Sequence, residues 1–425
     1  MRPRFLIAFT LLVAALTAPL VSRAGTETPA NSYDAIQIGG AGTFSSGLND
    51  AGHVAGGYMV GDNQHAFLWS NGVLTDLGTL GGAESSAAAI NNGDQVVGWA
   101  LTPSGAGHAF LWNPGGSMQD LGTLGGSSSA AHAINDAGQI VGSAEDAAGA
   151  ECATLWQNGQ TYNLGVPPGF AASTAYGINA SGQVVGNVRD VDGKPWAFRW
   201  TPTVPNGTTG TMVALHPVAG NTAYGINAGG EAVGEAIAAN EIDSWSTLWD
   251  ATGAHTLPPL PGSFGSTAWG INASRTVVGS DYFDDGLGGP YAAAYAWDPT
   301  HGARYLDVLV NDLELSLQTP TAVNASGQIV ANAWDGWVYV LTPSGVPVRP
   351  VNLGAVPEAT RVTLTWDPSS GAQQYHVRRA PASGGSFTPL GTVAGPTFTD
   401  TTVTSGVSYT YVVSASNSYG ESSLS

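Results

Sequence analysis

The sequence predicts an all-β chain: a seven-bladed β-propeller over residues 33–341, followed by a smaller β-sandwich over 352–425. Three observations predict it. An apolar residue followed by asparagine recurs seven times, and Asn49, Asn91, Asn135, Asn179, Asn227, Asn272 and Asn324 lie 42, 44, 44, 48, 45 and 52 residues apart. That period fits a four-stranded propeller blade of roughly 40–50 residues. Composition agrees, because 59 glycines, 13 tryptophans and 14 tyrosines with only 10% charged residues suit short strands joined by tight turns. The 43% apolar content is too high for a disordered chain, and no Gly-X-Y period marks collagen. Lastly, residues 33–40 have the form of the one strand that the seventh repeat lacks.

Residues 1–24 read as an export signal. Arg2 and Arg4 precede an apolar run over 5–20, and Ser22-Arg23-Ala24 offers small residues for cleavage. The run is about 16 residues long and contains Pro19, which is short for a bilayer span. No cysteine stands near the cleavage site to take a lipid, and no later apolar run is long enough to span a membrane. The expected location is extracellular, cell-surface or periplasmic. Cys152 is the only cysteine, so packing rather than a disulfide must stabilise the exported chain.

The formal charge is −19, Lys194 is the sole lysine, and no Lys or Arg occurs between Gly25 and Val188. Phosphate backbones and anionic bilayers are held by clustered cations, so neither nucleic acid nor an anionic membrane surface is an expected partner.

The second repeat shows the parts of a blade most clearly. Residues 85–90 form a small-residue strand, 91–94 a turn, 95–98 and 108–112 the next two strands, and 118–124 the fourth. In the turn, asparagine at the first position bonds its own backbone ahead, and glycine at the fourth accepts a positive φ. Asn179-Ala180-Ser181-Gly182 is typical, while Asp94 and Arg275 replace the glycine in two repeats. The third strand ends on Trp69, Trp112, Trp156, Trp200, Trp249 and Trp297, with Leu341 in the last repeat. Phe67 and Trp69 alternate with Ala66 and Leu68, so both faces of the sheet are apolar and both must be covered. Radial stacking of blades does this. The seventh repeat has a third strand at 337–341 and no fourth, and residues 33–40 match the fourth-strand segment 75–82. Pairing the two ends in one sheet closes the ring and leaves no exposed edge. An open solenoid would need capping repeats, and none is visible.

The block His-Ala-Phe-Leu-Trp at 65–69 and 108–112, the Asp-Leu-Gly-Thr-Leu-Gly-Gly stretches at 76–82 and 120–126, and the Ile-Asn turns resemble the HAF repeats of bacterial extracellular proteins. The resemblance covers residues 33–344 and implies a propeller-like fold without implying any catalytic role. Later repeats drift, with Cys152, Trp196 and Trp245 in place of the histidine.

A Pro/Gly-rich linker is expected at 342–351. Beyond it, 362–366, 375–379 and 409–413 alternate as strands. Trp366, Tyr375 and the run Tyr409-x-Tyr411-x-Val413-x-Ala415-x-Asn417 resemble a fibronectin type III domain, which implies that Trp366 is its core tryptophan. No Arg-Gly-Asp triplet is present to imply integrin binding, and the last strand is expected to be cut short at Ser425.

No residue is assigned a catalytic, cofactor or metal role. His65 and His108 share one repeat position and read as packed strand residues, since Cys152 or tryptophan replaces them elsewhere. Cys152 has no nearby cation to activate it. Asp190-x-Asp192-Gly193 and Asp281-x-x-Asp284-Asp285-Gly286 are too short for a full calcium loop and read as solvated loop acids. Asp76 and Asp120 do not make an acid/base pair, because Asn163 takes the same position in the next repeat. Trp99, Trp269 and Trp334 fall outside the shared tryptophan column; exposed, they would stack on sugars or peptides, but packing is the preferred reading. Nucleophile-elbow, Walker and His-Glu-x-x-His motifs are absent. The expectation is a secreted or surface-associated, non-catalytic binding or scaffold protein with an extracellular protein or glycan partner. The alternative is a carbohydrate-active hydrolase or lyase, supported by fold analogy alone.

Overall fold

A computed structural model describes residues 32–425 apart from 216–219, 238–242, 285–289, 311–314, 370, 383–385, 418–419 and 423. The expected export signal, residues 1–24, lies outside the described residues. Among those described, residues 32–344 form seven four-stranded antiparallel sheets. Six use consecutive strands in chain order. The seventh joins Ser32–Ile38 to Val338–Ser344, Ile329–Ala333 and Leu317–Val323. Its closing pair runs unbroken from Ser32↔Ser344 to Ile38↔Val338, as the repeat pattern predicts. The last strand continues to Ser344, so Thr342 and Pro343 belong to the sheet rather than to the linker.

The apolar faces are covered by neighbouring sheets in a closed, propeller-like cycle. Ala55, Leu68 and Leu77 of the first sheet pack with Ala87, Val96 and Phe110 of the second. Equivalent cores join each later pair. The seam is sealed by Ile38, Val330, Val338 and Val340 of the seventh sheet against Val54 and Phe67 of the first. The inner strands are Phe44–Leu48, Ser85–Ile90, Gly125–Ile134, Phe170–Ile178, Asn221–Ile226, Gly265–Ile271 and Leu317–Val323. Each packs on the next, and Phe44–Leu48 also meets Leu317–Val323. Small residues permit this approach: a Cβ on Gly177 would stand 2.8 Å from the Tyr224 carbonyl oxygen.

The seven turn asparagines do more than form turns. Each is buried. Asn179 Oδ1 accepts the N–H groups of Ser181 and Gln183, at 3.1 and 2.9 Å. Its Nδ2 donates to Gln183 Oε1 at 2.8 Å and to the Asn227 carbonyl of the next sheet at 3.1 Å. The inter-sheet bond repeats from Asn49 through Asn272 at 3.1–3.2 Å, and Asn324 returns it to the Asn49 carbonyl at 3.0 Å. The asparagines therefore form a closed cycle of hydrogen bonds. At the fourth turn position, Asp94 and Arg275 adopt φ of +57° and +62°, where the other repeats place glycine. That backbone costs a non-glycine residue about 1 kcal/mol. Each exception gains bonds to the preceding sheet: Asp94 to Asn49 and His53, Arg275 to Glu231 and Asp250.

The fourth strands are shorter than the motif implies. In the first two sheets they span Val73–Asp76 and Gln119–Asp120. Beyond Leu77 the chain turns away, with Gly78 at φ +74° and Thr79 Oγ1 donating to the Gly82 carbonyl. Asp-Leu-Gly-Thr-Leu-Gly-Gly is thus mainly the crossover to the next sheet.

The C-terminal part is a fibronectin-III-like sandwich. One sheet holds Gly354–Pro357, Val362–Thr365 and Thr397–Asp400; the other holds Thr388–Val393, Gln374–Pro381, Tyr409–Asn417 and Gly420–Glu421. Leu364, Trp366, Tyr375, Val377, Val413 and Ala415 fill the space between them. Pairing on the final edge reaches Ser425, whose N–H donates to the Val413 carbonyl at 2.8 Å.

Candidate functional site: an aromatic arc on the inner wall

Every inner strand carries a bulge three residues before its asparagine, seen as a register shift against the second strand. A bulge leaves one residue unpaired and re-aims its side chain. The bulged residues are Ser46, Ala88, His132, Tyr176, Tyr224, Trp269 and Thr321. The residue before each is buried between sheets, whereas the bulged residue is half-buried and stands outside the intersheet cores. This lines the inner wall of the ring with them.

The wall is not symmetric. His132 stacks on Tyr176 with centroids 5.2 Å apart and planes at 13°. Tyr176 meets Tyr224 at 5.4 Å, and Tyr224 meets Trp269 at 5.0 Å. Four consecutive inner strands thus present a continuous arc of rings, while Thr321, Ser46 and Ala88 keep the opposite side open.

The polar ends of the arc are fixed. Tyr224 Oη donates to Glu235 Oε1 at 3.1 Å, and Glu235 Oε2 accepts from Ser244 and Thr267 at 3.2 and 2.9 Å. Burial, reinforced by Glu235, holds the Tyr224 phenol well above its ordinary value, so it stays protonated. Trp269 Nε1 donates to Ser280 Oγ at 3.2 Å. His132 Nδ1 lies 2.9 Å from the Ala175 carbonyl. A carbonyl only accepts, so Nδ1 carries the proton. Burial pushes this imidazole below its usual value and keeps it neutral at pH 7, although the carbonyl and Glu151 oppose the shift. Both Glu235 oxygens being occupied, the arc offers flat apolar faces with ordered polar edges, which suits stacking more than proton transfer.

The residues singled out from sequence are scattered. His65 and His108 lie 3.0 and 2.8 Å from Asp76 and Asp120 of their own sheets. Each aspartate also caps the crossover through the Gly78 or Gly122 N–H, at 2.8 Å. In the third sheet Asn163 caps Gly165 in the same way. These histidines therefore help hold the sheet-to-sheet crossovers. Burial pushes the Cys152 thiol up, leaving it protonated and inert. Asp190 spends its oxygens on the N–H groups of Asp192 and Lys194 and on Trp196 Nε1.

Asp281 corrects the loop-acid reading. It is 1% exposed and lies on the strand Val277–Asp284, while residues 285 and 286 fall outside the described set. Among the unmatched tryptophans the preference for packing fails for Trp334 alone, since Trp99 and Trp269 are half-buried. Trp269 ends the arc, Trp99 lines a cleft between the second and third sheets, and Trp334 is 59% exposed. The bulge column was readable once repeats are aligned on asparagine; its variability hid it. Among the described residues, no group of three His, Cys, Asp or Glu side chains is placed to hold a metal, and no helix is long and apolar enough to cross a membrane.

No family model matches the chain. Over 129 residues, 29% of this chain, it is 36% identical to an amylopullulanase of Thermoanaerobacterium saccharolyticum and 30% identical to one of Thermoanaerobacterium thermosulfurigenes. The chain spans 10% and 6% of the length of these relatives. Among solved structures, a Fn3-like protein from Clostridium thermocellum is 37% identical, matches 18% of this chain and 84% of its own, and has a TM-score of 0.18. The structure of YCF48 bound to D1 peptide aligns with 74% of this chain and 98% of its own at 13% identity, with a TM-score of 0.44.

Proposed function

We propose that this chain is an exported, non-catalytic carbohydrate-binding protein, a seven-bladed propeller of HAF-like repeats joined to a fibronectin type III module. The observation that carries this reading is the arc His132–Tyr176–Tyr224–Trp269. Symmetric repeats have no packing reason to place four adjoining rings on one side of an inner wall and small residues on the other. A sugar ring has an apolar C–H face that packs on an aromatic face, and hydroxyls that meet ordered polar edges. The stretch shared with two amylopullulanases favours a carbohydrate-directed role. The full bonding of Glu235 favours binding over the hydrolase alternative.

The test is a glycan array followed by calorimetric titration of the best ligand against the full chain. Tyr224→Ala and Trp269→Ala should each weaken binding about tenfold, the equivalent of about 1.4 kcal/mol expected for one lost stacking contact. Absence of any glycan ligand, or arc variants that bind like the parent, would overturn the reading. Release of new reducing ends would convert it into the hydrolase.

A further inference from the structure

A second opening lies between the second and third sheets, beside the His132 end of the arc, where Glu151 is within electrostatic reach of His132. It is a cleft of about 300 Å³ lined by Trp99 and Gly107 on one side and by Ser128–Ala130, Ser143–Glu145 and Glu151 on the other. Two features set its chemistry. First, Trp99 stands under an open space. A Cβ on Gly107 would lie 3.9 Å from Trp99 Cε3, so glycine leaves the indole face uncovered. Second, Glu145 and Glu151 sit directly opposite each other on paired strands. Cross-strand partners have Cβ atoms only about 5 Å apart, and like charges there are destabilising. Among the described residues, no lysine or arginine forms an ion pair with either.

Both glutamates accept hydrogen bonds from neighbouring strands. Glu145 Oε2 takes the Ser127 N–H and hydroxyl, and hydrogen bonds from Ser127 and then Ser128 hold its carboxyl below the usual range. Glu151 Oε1 takes the hydroxyl of Thr174 on the fourth sheet at 3.2 Å, and Glu151 also lines the cleft. A surface that combines an indole, serine side chains and two carboxylates without an ion-pair partner complements a ring with an apolar face, hydroxyls and a positive charge.

We infer that this cleft is a subsite for an amino sugar, with the pyranose face on Trp99 and the protonated amine between Glu145 and Glu151. The inference rests on the carbohydrate reading above and adds to it a class of sugar and a second place of contact.

The test uses matched oligosaccharides of glucosamine and N-acetylglucosamine, titrated into the full chain at pH 6 and low salt. The free-amine oligomer should bind about tenfold tighter, and the difference should vanish in 0.5 M salt as Coulomb attraction is screened. Trp99→Ala, Glu151→Gln and Gly107→Val should each abolish the preference. Tyr224→Ala should leave it intact. Glu151→Gln should also raise the melting temperature of the ligand-free protein, because it relieves the like-charge pair, which shows that the variant folds. Equal affinity for the two oligomers, or calcium binding in the cleft with no gain from the amine, would overturn the subsite while leaving the arc standing. Failure of every glycan to bind would overturn both.

Discussion

Asp281 shows what one side chain can impose on this ring. One oxygen accepts the Leu260 N–H at 2.6 Å, and the other meets no donor within hydrogen-bond reach. Burial raises its carboxyl to about 6, against the opposing pull of Leu260 and Ser266. An unfolded aspartate titrates near 3.9. Between about pH 4 and 6 the folded chain therefore holds a proton that the unfolded chain has lost. Stability from this group is complete below about pH 4, falls as pH rises to about 6, and stays lost above it. Asp281→Asn keeps an acceptor for Leu260 and removes the titration. Urea denaturation should find the variant and parent alike near pH 4, with the variant gaining up to about 3 kcal/mol by pH 7. Taking the difference cancels the aspartates of lowered pKa, such as Asp76 and Asp298, which lose stability on acidification. A pH-independent difference would refute the assignment. The sequence hid this residue because Asp284 and Asp285 follow it and mimic a loop. The arc was hidden differently. Trp269 stood out as an unmatched tryptophan, but Tyr176 and Tyr224 become neighbours only when the inner strands converge.

At the level of the turn, asparagine was legible for half of its work. Its place before a positive-φ residue is a local property, and the seven turns form as expected. The bond to the next sheet is not local and left no trace in any single repeat. Asn179→Asp separates the two roles. The carboxylate can still accept from Ser181 and Gln183, but it cannot donate to the Asn227 carbonyl or to Gln183 Oε1. Burying a charge among acceptors should cost about 2 kcal/mol or more at pH 7. Protonation restores a donor, so the deficit should shrink as pH falls to 4. Denaturation at the two pH values checks this; a loss independent of pH would mean that the turn alone matters. The fourth strands were misjudged for the reverse reason. Their motif is a crossover signature, in which Asp76 and Thr79 bond the backbone ahead and end the strand.

Closure of the whole ring depends on one strand that serves two interfaces. In Ser32–Ile38, Tyr33 enters the core between the sixth and seventh sheets, and Ile38 enters the core between the seventh and the first. The ends of the ring could be matched from sequence because both halves of the seventh sheet carry the repeat pattern. The cleft could not, because it exists only where the second and third sheets meet. The sandwich has a separate core, and the segment between it and the ring is bonded to each, by Ser32 to the Val346 carbonyl and by Asn417 to the Gly345 carbonyl. Calorimetry should therefore resolve two transitions. Ile38→Ala removes a buried side chain at the seam and should cost the ring about 2–4 kcal/mol. Loss of residues 32–38 should lower the ring transition much further, because it empties both cores and unpairs Val338–Ser344. In each case the sandwich transition should hold its position, which also shows that the chain has not failed to fold altogether. Should the Ile38→Ala protein melt with the parent's ring transition, or should both transitions drop together, the seam would not be what keeps the seven sheets in a cycle.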